Sequence, residues 1–262
     1  MKTSLIIATY NWPAALELVL LSLLKQSRLP DEIIIADDGS TETTKQLIER
    51  YTDKFQCGLH HIWQADKGFQ KTKILNKAIA KANGDYIIQI DGDILLHKHF
   101  IKDHIHTAKQ GTFIHGSRVF LNKKITKKVF ADLAYHFSIF TSGISNRLNG
   151  IRSLLLSTII SSKNDNLKGT RGCNFSFWKQ NFIEANGYNE DMIGWGKEDT
   201  ELSIRLMNNG LQKHKLKGKV VCYHLHHSIS SRESLNINTA ILETALKNKI
   251  KNCTNGISKY AN

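Results

Sequence analysis

Across the first hundred residues, short apolar runs alternate with amphipathic segments, and this alternation constrains the fold more than any other feature. Residues 4–9 form a run of strand length with an apolar centre at 5–8, as in a strand covered on both faces. Pro13 then opens a helix whose apolar face comes from residues 14–24; proline suits the first helical turn. Pro30-Asp31 breaks the chain. Residues 32–36 read as a strand, 41–51 as a helix, 59–63 as a strand and 70–82 as a helix. Asn83-Gly84 turns the chain into a strand over 85–90. A βαβα series predicts an α/β fold, a mostly parallel sheet with helices on both faces. Ligands of such sheets bind beyond the carboxyl ends of the strands. Two acidic clusters stand there, Asp37-Asp38-Gly39-Ser40 and Asp91-Gly92-Asp93.

The chemistry follows from these clusters. Gly92 lets the backbone turn tightly, so that Asp91 and Asp93 can face one hard cation, Mg2+ or Mn2+, which would bridge them to a diphosphate. A carboxylate at 37–38 can accept a hydrogen bond from a base N–H such as N3 of uracil, while Ser40 can cap the following helix. Lys67, Lys71 and Lys73 follow a third strand, where they can neutralise a diphosphate or form a solvated basic helix face. Further on, Gly194-Trp195-Gly196-Lys197-Glu198-Asp199 places an aromatic ring between two glycines. That ring can stack on a pyranose, and the glycines let a ligand approach closely. The adjacent acids suit the amino end of a helix, and a carboxylate there can also act as general base for a sugar hydroxyl. In Tyr223-His224-Leu225-His226-His227, a strand would put 224 and 226 on one face and 227 on the other; one of the three can complete a metal site, and the spacing does not say which.

Composition narrows the field. With 262 residues, 41% of them hydrophobic, the chain is expected to form one globular domain. The net charge of +13 admits nucleic acid, an anionic membrane surface or a phosphorylated substrate. The four cysteines form no CxxC pair and read as reduced thiols of a cytoplasmic protein. The apolar run after Met1 is too short for a signal peptide, and no uncharged apolar stretch reaches the ~18 residues of a membrane span. From Arg118 to Lys168 the periodicity degrades into a basic excursion, with Lys123, Lys124, Lys127 and Lys128 followed by apolar residues at 154–156 and 159–160. This segment is expected either to lean on an anionic membrane, at the inner face of the cytoplasmic membrane, or to be a mobile solvated loop. Ser234 is placed to cap a last helix through about Ile250, and the polar tail from Lys251 is expected to fray.

These motifs together resemble the family 2 glycosyltransferases of the GT-A fold. The resemblance rests on Ala8-Thr9-Tyr10-Asn11, on the 37–40 cluster and on the Asp-x-Asp triad. The segment after Gly169 is similar to one shared by animal β-1,4-galactosyltransferases and bacterial chondroitin polymerase, through residues 172–176, 186–190 and 194–201. The resemblance implies a nucleotide-sugar-binding half (1–117), the excursion (118–168), an acceptor and catalytic half (169–234) and a C-terminal helix and tail (235–262). It implies a UDP-sugar donor held by Ala8, Tyr10, Asp37, Asp38, Lys71, Lys73, Asp91 and Gly92. It implies a glycan acceptor held by Asn174, Trp195, Gly196 and Glu198, with Asp199 as catalytic base. Mn2+, or Mg2+, would be bound by Asp93 and a histidine; His224 fits best, with His226 or His227 as alternatives. The implied reaction inverts the anomeric carbon in one displacement, in the synthesis of bacterial surface polysaccharide or lipopolysaccharide. Lys197 departs from the galactosyltransferases, which have a second glycine there. A nucleotidyltransferase would not need the Trp-Gly turn and its acids. A non-catalytic sugar- or nucleic-acid-binding module is disfavoured by acids at buried strand ends, so no nucleic acid is expected.

Overall fold

A computed structural model describes residues 1–133, 135–163, 167, 169–228 and 231–260. The N-terminal series forms as its periodicity predicts: β1 (Thr3–Thr9), α1 (Pro13–Leu24), β2 (Glu32–Asp37), α2 (Glu42–Thr52), β3 (Leu59–Trp63), α3 (Lys71–Lys81) and β4 (Tyr86–Asp91). There follow β5 (Ile94–Leu96), α4 (Phe100–Thr107), β6 (Thr112–Gly116), β7 (Val119–Leu121), α5 (Lys123–Asp132), β8 (Ile144–Ser145), α6 (Leu154–Ile160) and β9 (Ser162–Lys163). The chain ends through β10 (Asn174–Trp178), α7 (Lys179–Glu184), α8 (Glu198–Asn208), β11 (Gln212–Leu216), β12 (Cys222–His224) and α9 (Leu235–Lys247).

The main sheet runs β3-β2-β1-β4-β10-β6-β11-β9. Its pairings among β1 to β4 are parallel, as is β6 with β11, whereas β10 lies antiparallel between β4 and β6. A second sheet, β5-β12-β7-β8, closes over one end. Alternate residues of β1 supply two cores. Leu5 and Ile7 pack with α1, α2 and α4, and Ile6 and Ala8 pack with α3, α7 and α8. Two-sided burial explains why these strands read as unbroken apolar runs.

The parallel register aligns the strand ends. Thr9 pairs with Asp37, Ala8 with Asp91, and Asp37 with Trp63. Both acidic clusters therefore emerge on one rim.

Several expectations fail in the detail. Thr41, not Ser40, occupies the N-cap of α2; the Ser40 hydroxyl instead accepts from the Asn11 N–H at 2.8 Å. Ser234 sits at the N-cap of α9 without a capping hydrogen bond, and that helix stops at Lys247. The tail is not frayed where described. Ile257 is buried in the second core, Asn255 O accepts from Glu190 N, and Lys259 pairs with Glu190 at 3.0 Å. Buried Cys253 and Ile257 and hydrogen bonds to Asn186, Glu190 and Asn209 secure a segment whose composition is polar. The basic excursion carries α5, capped by the Asn122 side chain, and α6; its residues 134, 164–166 and 168, including the boundary at Lys168, lie outside the described residues.

Candidate active site between two walls of one cleft

A cleft of about 1550 Å3 opens at the rim where the strands end. One wall carries the acids of the N-terminal half. Asp38 accepts from Gln64 Nε2 at 2.7 Å and from the Gln70 N–H at 2.8 Å, and burial pushes its carboxyl up to about 6 despite those donors. Tyr10 lies nearby and donates to Asp66 at 2.8 Å. Gly92 hydrogen-bonds through its N–H to Ala8 O at 2.7 Å, which ties the triad to β1.

Asp91 and Asp93 behave differently although two residues apart. Burial would raise both. Asp91 has the Lys71 ammonium at 2.6 Å, which more than offsets burial and holds the carboxyl below its usual value. Asp93 is raised, by burial and then by the negative Asp91. Its Oδ1 is enclosed and has no hydrogen-bond partner, while Oδ2 lies 3.4 Å from His224 Nε2 and 3.3 Å from His227 Nε2. These three residues offer ligand atoms all within 4.8 Å of one another. Burial, then Arg118, lowers the His224 imidazole to about 3, so it is held neutral, the form that ligates metal. A carboxylate with one oxygen facing two imidazoles and the other left without a partner fits a divalent cation.

His227 joins His224 because β12 ends at His224. Beyond it the two-residue alternation lapses, and His227 lies beside both Asp93 and His224, so the strand-based assignment of 227 to the opposite face does not hold. His226 lines the cleft but stands apart from this cluster; its N–H donates to Thr126 at 2.9 Å.

The second wall carries Trp195, Gly196, Glu198 and Asp199. Gly194, Gly196 and Lys197 all have positive φ, +76°, +113° and +74°. Lys197 thus holds a backbone conformation that favours glycine. Asp199 is fixed from two directions: Oδ2 accepts from the Gly172 N–H at 2.6 Å, and Oδ1 accepts from the Tyr188 hydroxyl at 3.0 Å. A Cβ at position 172 would stand 2.3 Å from Asp199 Oδ1, so only glycine permits this approach. Gln89 Nε2 donates to Tyr188 OH at 2.9 Å, extending the chain of donors into β4. Burial raises the Asp199 carboxyl, and burial together with Asp199 raises Glu198.

Most of the residues expected at the site do line this cleft: Ala8, Tyr10, Asp38, Lys71, Asp91 and Gly92 on one wall, the Trp195 turn and its acids on the other. Three do not. Asp37 is turned into the protein, accepting from Ser40 N at 2.8 Å and contacting His61 at 2.9 Å. Asn174 is fully buried and engaged by His104, Ser117 and Val220, so it supports the site from behind. Lys73 lies outside the lining, because two residues along α3 carry it to the opposite face from Lys71. The sequence reading did not single out Gly172, Tyr188 or Gln89 for Asp199, nor Arg118, Arg171 and Arg232 in the lining. Gly172 and Tyr188 fall inside the segments that carry the resemblance, and that was their one signal.

A nucleotide-sized cleft at the carboxyl ends of a parallel sheet, with a carboxylate–imidazole cluster on one side and a held carboxylate on the other, defines a GT-A glycosyltransferase. The model of "Glycosyl transferase family 2" matches residues 4–182 and that of "N-terminal domain of galactosyltransferase" matches residues 159–228, and the chain belongs to glycosyltransferase family 2. It is similar to hyaluronan synthase of Pasteurella multocida, 25% identical over 237 residues, covering 84% of this chain and 24% of that protein. It is similar to chondroitin synthase of Escherichia coli, 22% identical over 239 residues, covering 84% and 34%. The chain thus spans about a quarter to a third of these relatives. Among solved structures, Staphylococcus aureus TarS 1–349 in complex with UDP shares the fold at TM-score 0.65 and 18% identity, covering 99% of this chain and 68% of that one. GalNAc-T7 with UDP, GalNAc and Mn2+ does so at TM-score 0.68 and 14% identity, covering 93% and 48%.

Proposed function

We propose that this chain transfers a sugar from a UDP-sugar to a glycan hydroxyl with inversion, in the synthesis of a bacterial surface polysaccharide or lipopolysaccharide. The observation that carries the reading is the pairing of walls: the Asp93-His224-His227 cluster across the cleft from Asp199, with Lys71 between the two acidic groups. Asp38 accepts from the uracil N–H, with Tyr10 and Ala8 beside it. Lys71 keeps Asp91 ionised and positioned towards the ribose. Trp195 offers its face to the acceptor sugar, and Glu198 orients a hydroxyl. Asp199 takes the proton of the acceptor hydroxyl as that oxygen attacks the anomeric carbon; the bond from that carbon to the diphosphate breaks, and its electron pair leaves with UDP. One displacement inverts the centre. Asp93, His224 and His227 would hold Mn2+, whose chemistry there is to stabilise the leaving diphosphate; two imidazoles suit Mn2+ better than Mg2+.

The named activities of the relatives, synthesis of hyaluronan and of chondroitin, support a polysaccharide product. No helix among the described residues is long and apolar enough to cross a membrane. A location in the cytoplasm against an anionic membrane surface is part of this proposal; the exposure of Leu155 (75%) and Ile159 (74%) on α6 and the lysines of α5 support it. The test is a panel of UDP-sugars assayed for metal-dependent hydrolysis, with thermal shift by UDP and Mn2+ alongside. Hydrolysis of one donor, with stabilisation by UDP and Mn2+, is expected. Pyrophosphate release from a nucleoside triphosphate would point to a nucleotidyltransferase, and stabilisation by carbohydrate or RNA alone to a binding module.

A further inference from the structure

The cleft is lined by five carboxylates, Asp38, Asp91, Asp93, Glu198 and Asp199, and by five cations, Lys71, Arg118, Arg171, Lys197 and Arg232. Attraction across a shared cleft would pair them, yet of these five cations only Lys71 forms an ion pair among the described residues, with Asp91. Arg118 meets the Cys173 thiol at 2.9 Å and the Phe120 ring at 4.6 Å, and its Nε is enclosed with no partner. Arg171 stands close enough to Arg118 that burial and that neighbouring charge both lower its pKa. Arg232 lies over the Trp195 ring, 5.7 Å from its centroid, and Lys197 is two residues beyond Trp195 on the same turn. Arg171, Lys197 and Arg232 are exposed to the cleft and form no ion pair among the described residues, so their charges are open to a ligand.

The position of the cations says which ligand. Arg118 is within the field of Asp91 and Asp93 and belongs with the diphosphate side. Arg171 immediately precedes Gly172, whose N–H holds Asp199, and Arg232 and Lys197 flank Trp195. These three surround the acceptor wall of the proposed function, on which the present inference rests. We infer that the acceptor is an anionic glycan, whose carboxylate or phosphate lies against Arg171, Lys197 and Arg232 while its sugar ring stacks on Trp195. Guanidinium groups bind either anion through paired N–H donors. The two sources of charge, a uronic acid and a sugar phosphate, share this chemistry.

The experiment compares acceptors in the full chain with saturating donor and Mn2+. The probes are an oligosaccharide ending in a uronic acid, its neutral methyl ester, a phosphate-bearing oligosaccharide and that oligosaccharide after dephosphorylation. Wild type should show a KM at least about tenfold lower for one charged member than for its neutral counterpart, the size expected of one charge-assisted hydrogen bond. In Arg171→Gln combined with Arg232→Gln that preference should vanish through a higher KM for the charged acceptor, with the dissociation constant for UDP unmoved. Lys197→Gly, which removes a charge while relieving a positive φ, should weaken the preference without loss of thermal stability, so misfolding cannot mimic the result. Equal KM values for charged and neutral acceptors in wild type would overturn the inference. So would a weaker affinity for UDP in the double variant, which would return these cations to the donor diphosphate. Failure of UDP binding in wild type would instead sink the glycosyltransferase reading itself.

Discussion

The two walls of the cleft are built by different means. The donor-side wall is the ends of β1, β2 and β4, whose ladders set Ala8 opposite Asp91 and Thr9 opposite Asp37. The acceptor-side wall is a turn with three positive-φ residues, a glycine against a carboxylate, and the first turn of α8. A ladder places residues by main-chain hydrogen bonds that hardly depend on the side chain, so the acids on it can be exchanged without loss of shape. A turn depends on which residues occupy it. The walls also differ in charge: acids on the first are met by Lys71, amides and imidazoles, whereas three cations on the second are unpaired among the described residues. Under the proposed function, donor chemistry would rest on the sheet and acceptor choice on side chains that can vary.

The comparison can be broken at several points. The largest effect is expected from Asp93→Ala, which should abolish Mn2+-dependent UDP binding and turnover while the melting curve stays cooperative. Normal turnover by this variant in EDTA would remove the metal from the donor side. Next is Glu201→Ala. Glu201 and Arg205 form a fully buried pair on α8 at 2.6 Å, and leaving the guanidinium unpaired should destabilise the protein by about 3–5 kcal/mol in urea titrations. A loss confined to a few tenths would mean that the acceptor wall does not depend on that helix. Asp199→Asn preserves shape but cannot take a proton, so transfer should fall by at least about a hundredfold with UDP affinity unchanged. A joint loss of UDP binding and turnover would show that Asp199 organises the donor site instead.

Smaller effects separate the walls by pH and by salt. The Asp38 carboxyl, raised to about 6, must be ionised to accept from uracil. Uridine, whose own groups do not titrate in this range, should bind with constant affinity above pH 7. Its affinity should fall by up to about tenfold per unit well below 6, because only the ionised fraction is competent; in Asp38→Asn that slope should be absent. A flat profile in wild type would take Asp38 out of base recognition. Last, conversion of Lys123, Lys124, Lys127 and Lys128 to glutamine should reduce flotation with anionic liposomes at low salt, at about 1 kcal/mol per lysine near the surface. Equal flotation of variant and wild type would leave the exposed face of α6 to another partner.

What the amino-acid sequence determined by itself is the strand-end wall of the cleft and the order of elements. Apolar runs of strand length, amphipathic helices and punctuation by Pro13, Pro30 and Gly84 are local signals, and they yielded β1 to β4 with boundaries correct to within a residue or so. Once the strands were parallel, Asp38, Asp91 and Asp93 had to share a rim. Where a residue acted through a partner far along the chain, nothing local announced it. Tyr188 and Gly172 reach Asp199 because a loop, β10 and α8 pack together; Asp37 and Asn174 have the residue types of ligands, but packing turned both inward to serve the scaffold. The tertiary structure alone decided that His227 joins His224 at Asp93, since that follows from where β12 stops pairing with β5 and β7. It alone decided that Arg171, Lys197 and Arg232 gather on one wall. Periodicity reports the face a residue takes on its own element; the distance between two side chains on different elements is set by how those elements pack.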